Sequence, residues 1–318
     1  MSAQRLPVVL LTGFLGAGKT TLLNRLLARA DMADTLVIVN EFGEASLDHR
    51  LVTHTADQTV VELASGCVCC TLRGDLAQTL RDAHWRFARA GRRQFERIVI
   101  ETTGLADPAP VLRTLAADAR VVERYRLSCT LTVVDATHAA ATLAMRPEAV
   151  RQVAAADRLL ISKTDLADAA AIATLRQTLA TLNPFAPQLD LRTASLGPAL
   201  FDPPAVMRYR AAPPTIAAPH AVRADSTLIE QPLQRAQIDA WLAAWPDIAG
   251  PGLLRMKALF DVAGESRPLV VQGVQHALYP PTLLPAWPDA ARGSTVVCIT
   301  QGIADTRLQA WLSALHHD

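Results

Sequence analysis

Two short stretches carry residue types whose spacing suggests chemistry: the glycine-rich octapeptide GFLGAGKT at 13–20 and the thiol cluster SGCVCC at 65–70. The octapeptide has the spacing G-x-x-x-x-G-K-[ST]. Gly13, Gly16 and Gly18 let the backbone curl so that its N–H groups face a phosphate, and a helix opening near Lys19 aims its positive end at the same place. Lys19 then meets the β- and γ-phosphates, and Thr20 offers its hydroxyl to Mg²⁺. The expected nucleotide-contacting set is Gly13, Gly16, Ala17, Gly18, Lys19, Thr20 and Thr21. A glycine-rich loop can also be a mere packing turn. Here the apolar run LPVVLLT before it and the helical pattern TTLLNRLLARA after it supply the strand and helix that a phosphate loop requires.

A carboxylate stands near the end of FERIVIET at 95–102, where Glu101 is placed to hold Mg²⁺ directly or through water. Gly104, three residues on, allows a backbone N–H to approach the γ-phosphate, so that nucleotide state can move the loop behind it. Base identity is assigned to SKTD at 162–165. Asp165 accepts hydrogen bonds from the N1–H and 2-amino group of guanine, a paired donor edge that adenine lacks. Ser162 opens the motif, and Lys163 lays its methylene stem over the base. The competing reading is a surface turn with Thr164 or Asp165 capping the next helix. Ala194 and Ser195, in TAS at 193–195, are placed to close a loop over the base.

The thiols Cys67, Cys69 and Cys70 suit Zn²⁺ or another soft, tetrahedral ion, with one oxygen or nitrogen ligand still to be supplied. A small apolar patch and thiol redox chemistry through Cys67 and Cys70 are the alternatives. An incomplete thiolate set also fits an exchangeable site better than a closed structural one. Glu41, in NEFGE at 40–44, is the candidate fourth ligand, with Glu44, Asp48, His49 and His54 behind it; Glu41 serving Mg²⁺ or the attacking water stays open. Cys129 and Cys298 sit in apolar strand-like runs and read as buried structural thiols.

Positioning these groups requires strands that end near them. TLVIVN at 35–40, FERIVIET, LSCTLTVVD at 127–135 and DRLLISK at 157–163 follow the first strand, and helical stretches alternate with them. The pattern predicts an α/β fold, a mostly parallel sheet with helices on both faces of the P-loop NTPase type, whose ligands sit beyond the carboxyl ends of the strands. A proline-rich linker is expected at 201–220, dividing a nucleotide-binding domain at 1–200 from a smaller α+β C-terminal domain at 221–318. In the latter, strands are expected at 222–229, 253–260, 268–274 and 294–301 and helices at 234–245 and 305–315.

Bulk composition narrows the partners. The 318 residues hold 31 Lys and Arg against 30 Asp and Glu, a balance that gives no reason to expect nucleic acid or a membrane surface. No secretory leader or membrane-length apolar run is read from the sequence, so a cytoplasmic location is expected.

With these motifs in order along most of the chain, GFLGAGKTTLLN, VIVNEFGE, ELASGCVCCTLRGDL, ETTGLADPAPV and then LLRMKALF and VVQGVQHALY, the sequence resembles the CobW-like P-loop GTPases. These are relatives of the urease and hydrogenase maturation GTPases and are known as metal chaperones or insertases. The resemblance implies slow hydrolysis of GTP to GDP and a metal motif at Cys67, Cys69 and Cys70 taking Zn²⁺, or Co²⁺ or Fe²⁺. It also implies delivery to a client metalloprotein under nucleotide control, and a metal- or nucleotide-dependent homodimer. Two departures stand out: Ser162 replaces the usual asparagine of the guanine motif, and no histidine-rich stretch is present. A small-molecule kinase and a nucleotide-dependent regulator with a redox-active or constitutive metal site are the rival functions.

Overall fold

The computed structural model describes residues 5–41, 60–64, 72–89, 92–202, 219–287 and 292–316. They divide into two compact units, Met1–Arg176 with Ala186–Pro204, and Gln177–Phe185 with Ala205–Asp318.

In chain order the first part builds β1 (Leu6–Gly13), α1 (Lys19–Leu27), β2 (Thr35–Glu41), β3 (Val60–Ala64), α2 (Leu72–Arg86), the short pair β4 (Ala88–Arg89) and β5 (Arg92–Arg93), and β6 (Arg97–Glu101). It continues with α3 (Ala109–Ala117), α4 (Ala119–Arg124), β7 (Tyr125–Asp135), α5 (Ala139–Met145), α6 (Pro147–Ala155), β8 (Arg158–Ser162), α7 (Ala169–Leu182) and β9 (Gln188–Asp190). Seven strands form one sheet in the order β3-β2-β6-β1-β7-β8-β9, every pair parallel. Such a sheet is covered on both faces, which is why β1 and β7 are buried along nearly their whole length.

Side-chain alternation sorts the helices. Cys129, Leu131 and Val133 of β7 pack in one core cluster with Leu22, Leu23, Leu26 and Leu27 of α1. Thr132 therefore points to the other face. There its hydroxyl donates to the Gln152 carbonyl of α6 at 2.8 Å, so α6 covers the face opposite α1.

Registry collects the functional candidates at one edge. Leu11 and Val39 both pair with Glu101, Gly13 with Val133, and Asp135 with Ser162. All these strands point the same way, so their carboxyl ends deliver Gly13, Glu41, Glu101, Asp135 and Ser162 to the same side of the sheet.

The second unit carries β10 (Val222–Ile229), α8 (Arg235–Ala243), α9 (Trp245–Ile248), β11 (Leu253–Phe260), β12 (Leu269–Val274), β13 (Ala277–Leu278), β14 (Thr282–Leu283), β15 (Ser294–Gln301) and α10 (Asp305–Ser313). Its sheet runs β10-β15-β11-β12-β13, with β14 beside β12, all antiparallel. Trp241 stacks on Trp311 at 4.0 Å between ring centroids and donates its indole N–H to the Trp311 carbonyl. These rings anchor a core with Met256, Phe260 and Val296.

Several local expectations need correction. Val60–Ala64 forms a strand in addition to those expected from sequence, and α4 and α5 are short helices. The strand expected over 95–102 is confined to Arg97–Glu101. The helix expected over 234–245 ends at Ala243, and a separate turn carries Pro246 in its first positions, where a missing N–H costs no helical bond. Leu200 and Phe201, at the edge of the proline-rich segment, are buried in the first unit's core; residues 203–218 lie outside the described residues. Among the described residues no helix is long and apolar enough to cross a membrane.

Candidate nucleotide site

Gly18 adopts φ +96° as the N-cap of α1, a left-handed conformation open to a residue without Cβ. The helix therefore starts at Lys19, with Leu22 N–H making the bond back to Gly18 O at 2.9 Å. The N–H groups of this first turn, Lys19, Thr20 and Thr21, form the positive end of the helix expected to receive phosphate. The Lys19 ammonium is folded into the loop, donating to the carbonyls of Gly13 at 2.9 Å and Phe14 at 3.2 Å.

Thr20, in the first turn of α1, donates from Oγ1 to Glu101 Oε1 across 3.0 Å. The phosphate loop and the end of β6 thus supply a hydroxyl and a carboxylate side by side. Hard oxygen donors of this kind are what Mg²⁺ takes, so the residues fit the ion. Beyond Glu101, Thr102 bonds through its hydroxyl to Thr12 at 2.8 Å and through its N–H to Leu11 O at 2.9 Å, stitching the loop to β1. Gly104 then passes so close to the phosphate loop that a Cβ on it would lie 2.5 Å from the backbone nitrogen of Leu15. Only glycine fits at that crossing.

At the end of β8 the Ser162 hydroxyl donates to Ala17 O at 2.7 Å, with Val134 O a more distant acceptor at 3.3 Å. Ser162 thereby ties the expected base-reading segment to the phosphate loop. Lys163 has φ +57° and sets its ammonium 2.7 Å from Asp135 Oδ2. Asp135 also accepts from the Thr137 N–H and hydroxyl at 2.8 and 2.6 Å, and it meets His138 at 3.2 Å. Burial works against the ionised form of Asp135, but the hydrogen bonds from Lys163, Thr137 and His138 outweigh it and hold the carboxyl down to about 2.

Asp165 is exposed at this edge. It does not cap the following helix: Asp168 does, its carboxylate accepting from Ala171 N–H at 2.7 Å. Thr164 instead donates to Asp190 Oδ1 at 2.9 Å, and Asp190 O accepts from Ala194 N–H at 2.8 Å. The two segments expected at the base, 162–165 and 193–195, are therefore joined through Asp190. Neither Asp135 nor Asp190 was singled out from sequence. For Asp135 the available signal was its position at the end of the run LSCTLTVVD.

Cys67, Cys69, Cys70, Glu44, Asp48, His49 and His54 lie outside the described residues. Glu41 is the last residue of β2 and pairs with Ala64, the last residue of β3; its side chain is not among those described. Among the described residues no group of three or more His, Cys, Asp and Glu side chains could hold a metal ion. Cys129 and Cys298 are buried free thiols, as expected. His276 contributes its backbone carbonyl to the Trp245 indole N–H at 3.3 Å, a structural contact.

Comparison with known proteins adds to this geometry. Residues 7–190 match the family described as CobW/HypB/UreG, nucleotide-binding domain, and residues 224–316 match the cobalamin synthesis protein cobW C-terminal domain. The chain is 33% identical over 316 residues to the zinc chaperone YjiA of Escherichia coli, covering 97% of this chain and 98% of that protein. It is 36% identical over 210 residues to the zinc chaperone CobW of Pseudomonas aeruginosa, spanning about half of that protein (53%). The crystal structure of Zn(II)-bound YjiA GTPase from E. coli superposes with a TM-score of 0.70 at 28% identity, covering 98% of this chain and 99% of that one.

Proposed function

Because the chain belongs to the CobW/HypB/UreG family of P-loop GTPases, we propose that it is a GTP-hydrolysing metal chaperone. In this reading it binds zinc or a similar transition metal through Cys67, Cys69 and Cys70 and passes it to a client metalloprotein under nucleotide control. The observation that carries the nucleotide half is the junction of Thr20 and Glu101 at the mouth of the phosphate loop, 3.0 Å apart. The metal half rests on the Cys67, Cys69 and Cys70 spacing and on a relative named as a zinc chaperone that matches over nearly its whole length.

The roles of the residues follow from their positions. The N–H groups of Lys19, Thr20 and Thr21 receive the phosphates at the start of α1, and the Lys19 ammonium exchanges the Gly13 and Phe14 carbonyls for β- and γ-phosphate oxygens. Thr20 and Glu101 hold Mg²⁺, which supplies charge neutralisation for the transferring phosphoryl group. Asp165 accepts the N1–H and 2-amino donors of guanine. Ser162, bonded to Ala17, keeps this reader in register with the phosphate loop. Hydrolysis then alters the loop after Glu101 and the segment after Glu41, and with them the hold on the metal. Ala64, three residues before Cys67 in the sequence, pairs with Glu41 at the end of β2.

Phosphate release from GTP and from ATP, measured with the wild type and with Lys19→Ala, tests the reading. It expects Mg²⁺-dependent turnover of GTP in preference to ATP, abolished in the variant. Phosphate release that survives Lys19→Ala, or equal use of ATP, contradicts it.

A further inference from the structure

Gln152 of α6 is 1% exposed, and a buried neutral amide in a helix that otherwise packs Val150, Val153 and Ala154 needs a reason. Its side-chain nitrogen donates to two carbonyls at once, Gly104 O at 3.1 Å and Ala106 O at 3.0 Å. Both belong to the loop that follows Glu101. The amide orientation follows from this pairing, since the reverse would set an oxygen against two carbonyl oxygens. In that orientation Oε1 is buried with no hydrogen-bond partner among the described residues. Buried polar atoms are nearly always matched. Gln152 is therefore held by what its nitrogen does for the loop, at the expense of its own acceptor.

The loop is gripped from the other side as well. Gly104 crosses the backbone of Leu15 too closely for any Cβ, so residues 104–106 are clasped between the phosphate loop and α6. A cavity of about 250 Å³ adjoins this clasp, lined by Phe14, Leu15, Leu143, Gln152 and Val153 among others.

We propose that Gln152 is a positioning residue for GTP hydrolysis: its two-point grip on Gly104 and Ala106 sets where the backbone after Glu101 meets the γ-phosphate. The inference rests on the GTPase reading above. A fork of two donors fixes the rotation of the segment as well as its distance, and preorganised backbone groups are worth most where charge develops in the transition state. GDP has no γ-phosphate, so its binding is insensitive to this placement.

The test compares wild type, Gln152→Met, which keeps the length and bulk of the side chain, and Gln152→Glu, which replaces the donors. Expected for both variants is a fall in kcat for GTP of about tenfold or more, with KM and the affinity for Mg-GDP within about twofold of wild type. Unchanged kcat in a folded Gln152→Met overturns the proposal, and so does an equal loss of GDP affinity, which marks a merely structural residue. If the wild type itself fails to turn over GTP, the GTPase reading fails and the assignment of Gln152 falls with it. Should both variants misfold, the side-chain amide resonance of Gln152 in wild-type protein decides. It is expected to shift between the Mg-GDP state and the state with a non-hydrolysable Mg-GTP analogue. An identical resonance in both overturns the proposal.

Discussion

Asp165 and Asp135 are two carboxylates at neighbouring strand ends whose surroundings give them different work. Asp165 is exposed and available to a base. Replacing it with Asn keeps an acceptor for N1–H and turns the other contact into a donor, which clashes with the guanine 2-amino group and suits the 2-oxo group of xanthine. Competition against a fluorescent guanine nucleotide is expected to show Asp165→Asn losing about tenfold or more in GTP affinity while gaining for XTP; unchanged discrimination contradicts the assignment. Asp135 is committed to Lys163, Thr137 and His138 and titrates at about 2. Its folded value lies below the ordinary carboxylate value near 3.9, so its stabilisation is complete above that value and disappears as pH falls toward about 2. Asp135→Asn is expected to lower unfolding free energy by about 1–3 kcal/mol near neutral pH, with the difference from wild type shrinking between pH 5 and pH 3. A difference independent of pH over that range contradicts an ionic role.

At the scale of elements, structure is legible in the sequence where one element carries its own signature. A buried parallel strand is rich in apolar and β-branched residues, so β1, β2, β7 and β8 could be read directly, and the phosphate loop and the segment 162–165 are contiguous strings. It is not legible where an element's identity depends on its neighbours. VVELA is five residues long with Glu62 at its centre, and it becomes a strand by pairing with β2 at the sheet edge. Asp135, Asp190 and Gln152 acquire their roles because the strand order brings β7, β8 and β9 side by side and lays α6 on the face opposite α1, which no local pattern encodes. Gly104 was legible as a glycine required by a close approach, but its crossing with Leu15, about ninety residues away in sequence, was not. Gly104→Ala is expected to force the two loops apart, with a stability loss of about 1–3 kcal/mol and a larger proportional loss of GTP turnover than of GDP binding. Wild-type turnover in a folded Gly104→Ala contradicts that close crossing. In the second unit, a Cβ on Gly273 would run into the Trp245 ring. Gly273→Ala is accordingly expected to lower the melting temperature, as read by calorimetry.

For the molecule as a whole, the proposed function makes nucleotide and metal ligands of one switch. Glu41 and Glu101 end strands that are hydrogen-bonded neighbours, Val39 standing opposite Glu101, and Ala64, three residues before Cys67 in the sequence, pairs with Glu41. Linkage then requires that GTP and GDP states differ in metal affinity, since a ligand held equally by both conformations shifts neither. The most direct measurement is competitive Zn²⁺ affinity of the reduced protein alone, with Mg-GDP and with a non-hydrolysable Mg-GTP analogue, against a variant combining Cys67→Ala, Cys69→Ala and Cys70→Ala. The account predicts affinities that differ severalfold or more between the nucleotide states, with the tight site lost in the variant. Equal affinity in all three states, or a tight site that survives removal of the three thiols, would contradict it.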